Sequence, residues 1–149
     1  DLHSFPTRRS SDLEEGLELD LDRIKIAPNT INSHRLLRWA HAANKHWEVL
    51  EHLFKAYFCD GQDIGDIKVL VKIANSCDMD GVLYGNLLKS DTDKLLIHRQ
   101  IKKYVNQGIQ GVPCLVIGGK FFLVGAQTKE AILAQIDEYY QALQPKSTV

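Results

Sequence analysis

The chain has 149 residues, 44% hydrophobic and 25% charged, with a formal net charge of -1 at pH 7, the profile of one globular domain of ordinary composition. A chain of about 150 residues buries roughly two-thirds of its unfolded surface, so its core requires neither disulfide staples nor a metal. Cys59, Cys77 and Cys114 form no close pair and no zinc spacing; the near-zero charge lacks the footprint of a nucleic-acid binder, and no apolar run reaches the roughly 18 residues of a membrane span.

The first thirteen residues, Asp1 to Leu13, have no apolar period and lack the apolar stretch of about 7 to 15 residues that marks a signal peptide. Their order resembles one in-frame translation of an adapter oligonucleotide used in DNA sequencing libraries. The expectation is that residues 1–13 are non-native and that the 136 residues Glu14 to Val149 begin inside a longer reading frame. The lone methionine, Met79, fits that expectation.

Leu17, Leu19 and Leu21 alternate with acidic residues, and Ile24 and Ile26 flank Lys25, which predicts an extended segment ended by Pro28. Asn29 is a good N-cap for a helix turning Leu36, Leu37, Ala40 and Ala43 inward, with the stripe fading at Asn44. Trp47, Leu50, Leu53, Phe54, Tyr57 and Phe58 recur at spacings of three and four, an amphipathic pattern read as core packing and closed by Gly61. Asp66 caps a helix carrying Val69, Leu70, Ile73 and Ala74, and Asp80 caps a shorter one with Leu83, Leu87 and Leu88. Asp91 is predicted to cap a longer helix through Leu95, Leu96, Ile101 and Tyr104 that ends at Gly108. The period then changes. Cys114 to Ile117 is a short apolar run, Gly118-Gly119 a two-residue hairpin turn, and Lys120 to Val124 the returning strand. Thr128 caps a last helix with Ile132, Leu133, Ile136, Tyr140 and Leu143.

Gly111-Val112-Pro113 lies between a helix and an apolar strand, where proline is tolerated only at a strand's first residue or edge and where a tight turn makes the cis peptide accessible. Four stretches in order, Pro28 to Leu36, Ala56-Tyr57-Phe58 with Asp63 to Asp66, Gly108 to Pro113, and Gly125-Ala126-Gln127, resemble the DsbA-like thioredoxin superfamily, and its FrnE-type branch most. The resemblance covers essentially all of Glu14 to Leu143. It implies an α/β, thioredoxin-like fold with an inserted helical domain, residues 29 to about 107 supplying the insertion and connecting helix and residues 111–143 the last hairpin and helix.

It also implies thiol-disulfide oxidoreductase or isomerase activity on the cysteines of protein or peptide substrates, with no cofactor and no metal. That chemistry uses a Cys-x-x-Cys pair at a helix N-terminus, where free N–H groups stabilise the attacking thiolate. No such pair occurs here, so no catalytic residue is assigned, and the N-terminal strand and redox helix are expected to be missing. Val112 and Pro113 match the family's proline loop and are the substrate-binding candidates, the residue before the proline offering its backbone to an extended peptide. Cys59 and Cys77 read as packing residues near helix ends. Cys114, beside the loop, is read as packing in a core strand. His34 sits among capping residues, and His41 and His52 lack partners at ligand spacing, so none is given a role.

Two other functions fit the same residues. A neighbouring branch resembles kappa-class glutathione transferases and 2-hydroxychromene-2-carboxylate isomerases, with glutathione as partner and a serine for the first cysteine; Gly125-Ala126-Gln127 favours the disulfide branch. A non-catalytic binding module is the third. Few cysteines fit a reducing, cytoplasmic compartment. With its first strands missing, the hairpin at residues 114–124 is expected to keep an unpaired edge and the chain to be partly molten or aggregated.

Overall fold

Several helices in this chain start where a short polar side chain accepts backbone N–H groups. In the computed structural model, which describes residues 19–109, 111–118 and 121–143, Asp66 Oδ1 accepts the Lys68 N–H at 2.8 Å. Asp80 Oδ1 accepts those of Val82 and Leu83 at 2.9 and 3.0 Å, and Thr128 Oγ1 accepts that of Ala131 at 3.2 Å. Each bond satisfies a donor that the first helical turn leaves without a partner. The elements are a 3₁₀ turn (Leu21–Arg23), α1 (Ile31–Ala42), α2 (His46–Phe54) running into a π turn (Lys55–Cys59), α3 (Ile67–Ser76), α4 (Gly81–Lys89), α5 (Lys94–Asn106), β1 (Cys114–Ile117), β2 (Phe121–Val124) and α6 (Lys129–Leu143).

The chain divides into two units, one ending at His98 and one starting at Arg99. The first is helical. Its core takes Leu36 and Ala40 from α1, Val49 and Leu53 from α2, Ala56 from the π turn, Leu70, Ile73 and Ala74 from α3, Cys77 and Met79 from the following loop and Leu88 from α4. Gly85 faces α3 so closely that an added Cβ would stand 3.0 Å from Val71 Cγ2. Gly61, at φ +65°, ends the π turn against the Arg23 carbonyl, where a Cβ would collide with backbone; no other residue type fits both constraints.

Several expectations need correcting. Residues 19–28 form no strand: Leu21–Arg23 winds into a 3₁₀ turn and Asp20 N–H donates to the Phe58 carbonyl at 2.9 Å. A β-strand needs a neighbouring edge to bond, and this segment lies against a helical turn instead, although Ile24 keeps extended backbone angles; Leu17, where the alternation starts, lies outside the described residues. In α2 the buried stripe is Val49, Leu53 and Ala56, while Trp47 is 77% exposed and Phe54 56%. Apolar residues surround most of that helix, only one stripe of it can face the core, and the stripe that wins carries the smaller side chains. Ala43 is exposed, and so are Leu83 and Leu95. Asn29 acts one residue ahead of the assigned helix, its Oδ1 accepting the Ile31 N–H at 3.1 Å. Asp91 does not cap α5. Asp93 takes a left-handed φ of 61° that delays the helix to Lys94, and Asp91 Oδ1 instead accepts from Lys94 Nζ at 2.7 Å.

The second unit holds the last two turns of α5, the β1–β2 hairpin and α6. Gly108, at φ +90°, ends α5, and the Ile109 N–H reaches back to the Tyr104 carbonyl at 3.1 Å, the pattern of a glycine C-terminal cap. The strands are antiparallel, pairing Cys114 with Val124 and Ile117 with Phe121. Gly119 and Lys120, on which the two-residue turn and the start of the returning strand were read, lie outside the described residues. No described side chain of β1 or α6 is buried, so β1 is not the core strand anticipated from its sequence.

Candidate functional site

The loop between α5 and β1 presents the predicted substrate-binding pair. The Val112–Pro113 peptide is cis, Val112 is 87% exposed, and the Pro113 carbonyl accepts the Gly125 N–H at 2.8 Å. That bond fastens the loop to the end of β2. It extends the hairpin ladder one step beyond the Cys114–Val124 pair and needs no N–H from proline. Among the described residues nothing takes up the Val112 N–H or carbonyl, and β1 pairs with β2 alone. An exposed residue at the mouth of a strand, with both backbone groups unused beside an open edge, can accept an added extended strand.

The cysteines stand apart from that arrangement in chemistry. Cys77 is fully buried behind α3, its Sγ 3.6 Å from His52 Nδ1. The same nitrogen lies 2.9 Å from the Glu48 carbonyl, an acceptor only, so Nδ1 must carry the proton. Protonated there, His52 cannot take the thiol's proton through that atom. Burial pushes the Cys77 thiol pKa up, and Glu48 and Asp78 push it the same way while Lys45 opposes, the reverse of an activated nucleophile. Cys59 and Cys114 are half-buried and free. His34 is exposed. Among the described residues no group of three His, Cys, Asp or Glu side chains could hold a metal ion.

Sequence reasoning missed the part played by Arg35, which lies in one of the four resembling stretches. Its side chain is fully buried and every guanidinium N–H has an acceptor. Nε donates to the Thr92 carbonyl at 2.7 Å, Nη1 to Asn32 Oδ1 at 2.8 Å and the Leu88 carbonyl at 3.0 Å, Nη2 to the Leu87 and Ser90 carbonyls at 2.7 and 2.9 Å. The Leu87, Leu88 and Ser90 carbonyls are those a helix C-terminus leaves over, carrying the negative end of the α4 dipole. The guanidinium also sits 5.1 Å from the centre of the Trp39 ring, and the Trp39 Nε1–H donates to Asp93 Oδ2 at 2.9 Å. Burial lowers the Arg35 pKa, with Asp91 and Asp93 opposing that shift. A signal was present: an arginine one residue before a core leucine, at a helical position i+3 from an asparagine, is placed to be buried with a local acceptor.

Comparison with known proteins adds three findings. The family described as DSBA-like thioredoxin domain matches residues 9–137. YwbO, an uncharacterised protein of Bacillus subtilis (strain 168), is 29% identical over 104 residues, 69% of this chain and 52% of YwbO, so the chain spans about half the length of that curated relative. The crystal structure of a candidate protein disulfide isomerase from Nitrosomonas europaea superposes with a TM-score of 0.66 at 16% identity, covering 94% of this chain and 77% of that one. At that identity the likeness is one of fold.

Proposed function

The chain belongs to the DsbA-like thioredoxin domain family, and from that premise we propose that it is the substrate-holding part of a FrnE-type thiol-disulfide oxidoreductase or isomerase acting on protein cysteines. The exchange reaction needs a Cys-x-x-Cys pair that these 149 residues do not contain. What the chain brings is the Val112–Pro113 loop, and the observation that carries the reading is the exposed Val112, whose backbone groups no described residue takes up, at the entry to a strand paired among the described residues on one side. An extended substrate segment pairs there, main chain to main chain, which accepts many sequences because it reads few side chains.

The binding step is tested with the chain as it stands. A fluorescein-labelled extended peptide with serine replacing its central cysteine is expected to bind, read by anisotropy. Val112→Pro removes one of the two free backbone groups and is expected to weaken binding about tenfold, the worth of one to two net hydrogen bonds. Equal binding by the wild type and Val112→Pro would overturn the reading.

A further inference from the structure

The net charge of -1 conceals an uneven distribution. From Lys94 to Lys129 the sequence holds six Lys or Arg and not one Asp or Glu, so the rest of the chain sets its twelve other cations against all nineteen acids. This acid-free stretch of 36 residues contains the whole Val112–Pro113 loop and both strands of the hairpin. Three of the cations, Arg99, Lys102 and Lys103, are exposed at spacings of three and four on the last two turns of α5, which puts them on neighbouring positions of one helix surface. None of the three has an ion-pair partner among the described residues. The helix ends at Asn106, and six residues later the chain reaches Val112.

We infer that this cationic strip selects substrates, so that the loop takes extended polypeptide segments with acidic residues flanking the cysteine in preference to neutral or basic ones. The inference rests on the Val112–Pro113 loop being the substrate-binding element. Six residues span at most about 20 Å, and an extended peptide advances about 3.4 Å per residue. With about 5 Å more from Asn106 back to Lys103, a segment paired at Val112 lies within about seven positions of the near end of the strip. Exposed charges at such separations each contribute little, but three of one sign, none of them ion-paired among the described residues, add up and raise the encounter rate of an anionic partner. A polypeptide is the favoured occupant over nucleic acid because the loop beside the strip offers strand-pairing backbone groups, which a phosphodiester chain has no means to use, and because the helical cluster is only three cations deep.

The experiment uses the full chain and two labelled twelve-residue peptides with a central serine, one bearing four Asp in its flanks and the other Asn at the same places. At about 30 mM salt the Asp peptide is expected to bind about tenfold more tightly, and the preference is expected to vanish near 500 mM salt, where the screening length falls to a few ångströms. The double variant Lys102→Glu, Lys103→Glu is expected to abolish the preference while leaving the binding of the Asn peptide within twofold. Equal affinity of the two peptides for the wild type overturns the inference and leaves the loop assignment standing. Binding of neither peptide overturns the loop assignment and the inference together. An acidic preference that survives in Val112→Pro with undiminished affinity separates the strip from the loop and overturns the inference, and so does displacement of the Asp peptide by an equimolar twelve-nucleotide single strand.

Discussion

Arg35 is the residue on which the helical unit depends most. The Arg35 side chain is buried, its bond to Leu88 fully and the other four partly, so shortening it leaves polar atoms on the α4 C-terminus and in the loop at residues 90–92 without their partner. Unsatisfied buried groups cost about 1–3 kcal/mol each, and breaking a buried charged network typically costs about 3–5 kcal/mol. Arg35→Ala is therefore expected to lower stability by about 3–5 kcal/mol, read as a fall in the urea midpoint. Arg35→Lys is expected to recover only part of it, since an ammonium cannot reproduce a fork that meets acceptors in one plane. An Arg35→Ala loss under 1 kcal/mol would show the network to be dispensable.

Cys77 supplies a second test at the same scale. Its folded-state thiol pKa is raised by burial first and by the neighbouring carboxylates second. A raised pKa leaves stability intact while the thiol is neutral in both states and removes it once the unfolded chain ionises and the folded one does not. The loss therefore begins above the ordinary cysteine pKa of about 8.5 and continues up to the folded value. Wild-type protein is expected to show a thermal midpoint that declines more steeply above pH 9 than that of Cys77→Ala. In the native state Cys77 is also expected to react with a thiol reagent more slowly than Cys59 or Cys114; faster reaction would contradict the burial.

At the scale of elements, three of the helix starts were legible in single residues. Asp66, Asp80 and Thr128 each do what their position in the sequence implies, and replacing Asp66 or Asp80 by Ala is expected to cost about 1 kcal/mol, checked by the thermal midpoint. Gly108 likewise ends its helix as read. What the sequence did not reveal is which of several apolar faces meets a neighbour. In α2 the aromatic side chains outnumber the space available, and Val49 rather than Trp47 is buried. Trp47→Ser is accordingly expected to change stability by less than 0.5 kcal/mol, where Leu53→Ala costs about 2–4 kcal/mol; urea unfolding of the two variants separates them. Asp91 misled for a related reason. A good capping residue two positions too early is overruled when Asp93 is held by Trp39, a contact 54 residues away in sequence that no local pattern contains. The candidate site was read from a tripeptide, Gly111-Val112-Pro113, and in the structure its proline follows a cis peptide and the strand begins at Cys114. The open strand edge beside it needed the register.

For the molecule as a whole, the two units differ in what holds them. The helical unit has a closed core, side-chain caps on α3 and α4 and a buried arginine whose hydrogen bonds are complete. In the second unit α5 exposes Ile101, Tyr104 and Val105, β1 exposes Leu115 and Val116, and α6 exposes Leu133, Tyr140 and Leu143. A two-stranded hairpin is marginal in water by itself, no described side chain of β1 is buried, and helices of 13 and 15 residues draw most of their stability from packing rather than propensity. The expectation of a partly molten chain thus narrows to one unit. Amide hydrogen exchange is the discriminating measurement, because it reports local opening free energies along the backbone. Amides of α1 to α4 are expected to exchange only through global or near-global unfolding, and those of residues 99–143 within about tenfold of unstructured rates. An added peptide strand at β1 gives the hairpin the third strand it lacks, so the Leu115 to Ile117 amides should slow on binding. Uniform protection across both units in the free chain would mean that residues 99–143 are stabilised by something other than the packing described, and would remove the reason for expecting the peptide to order them.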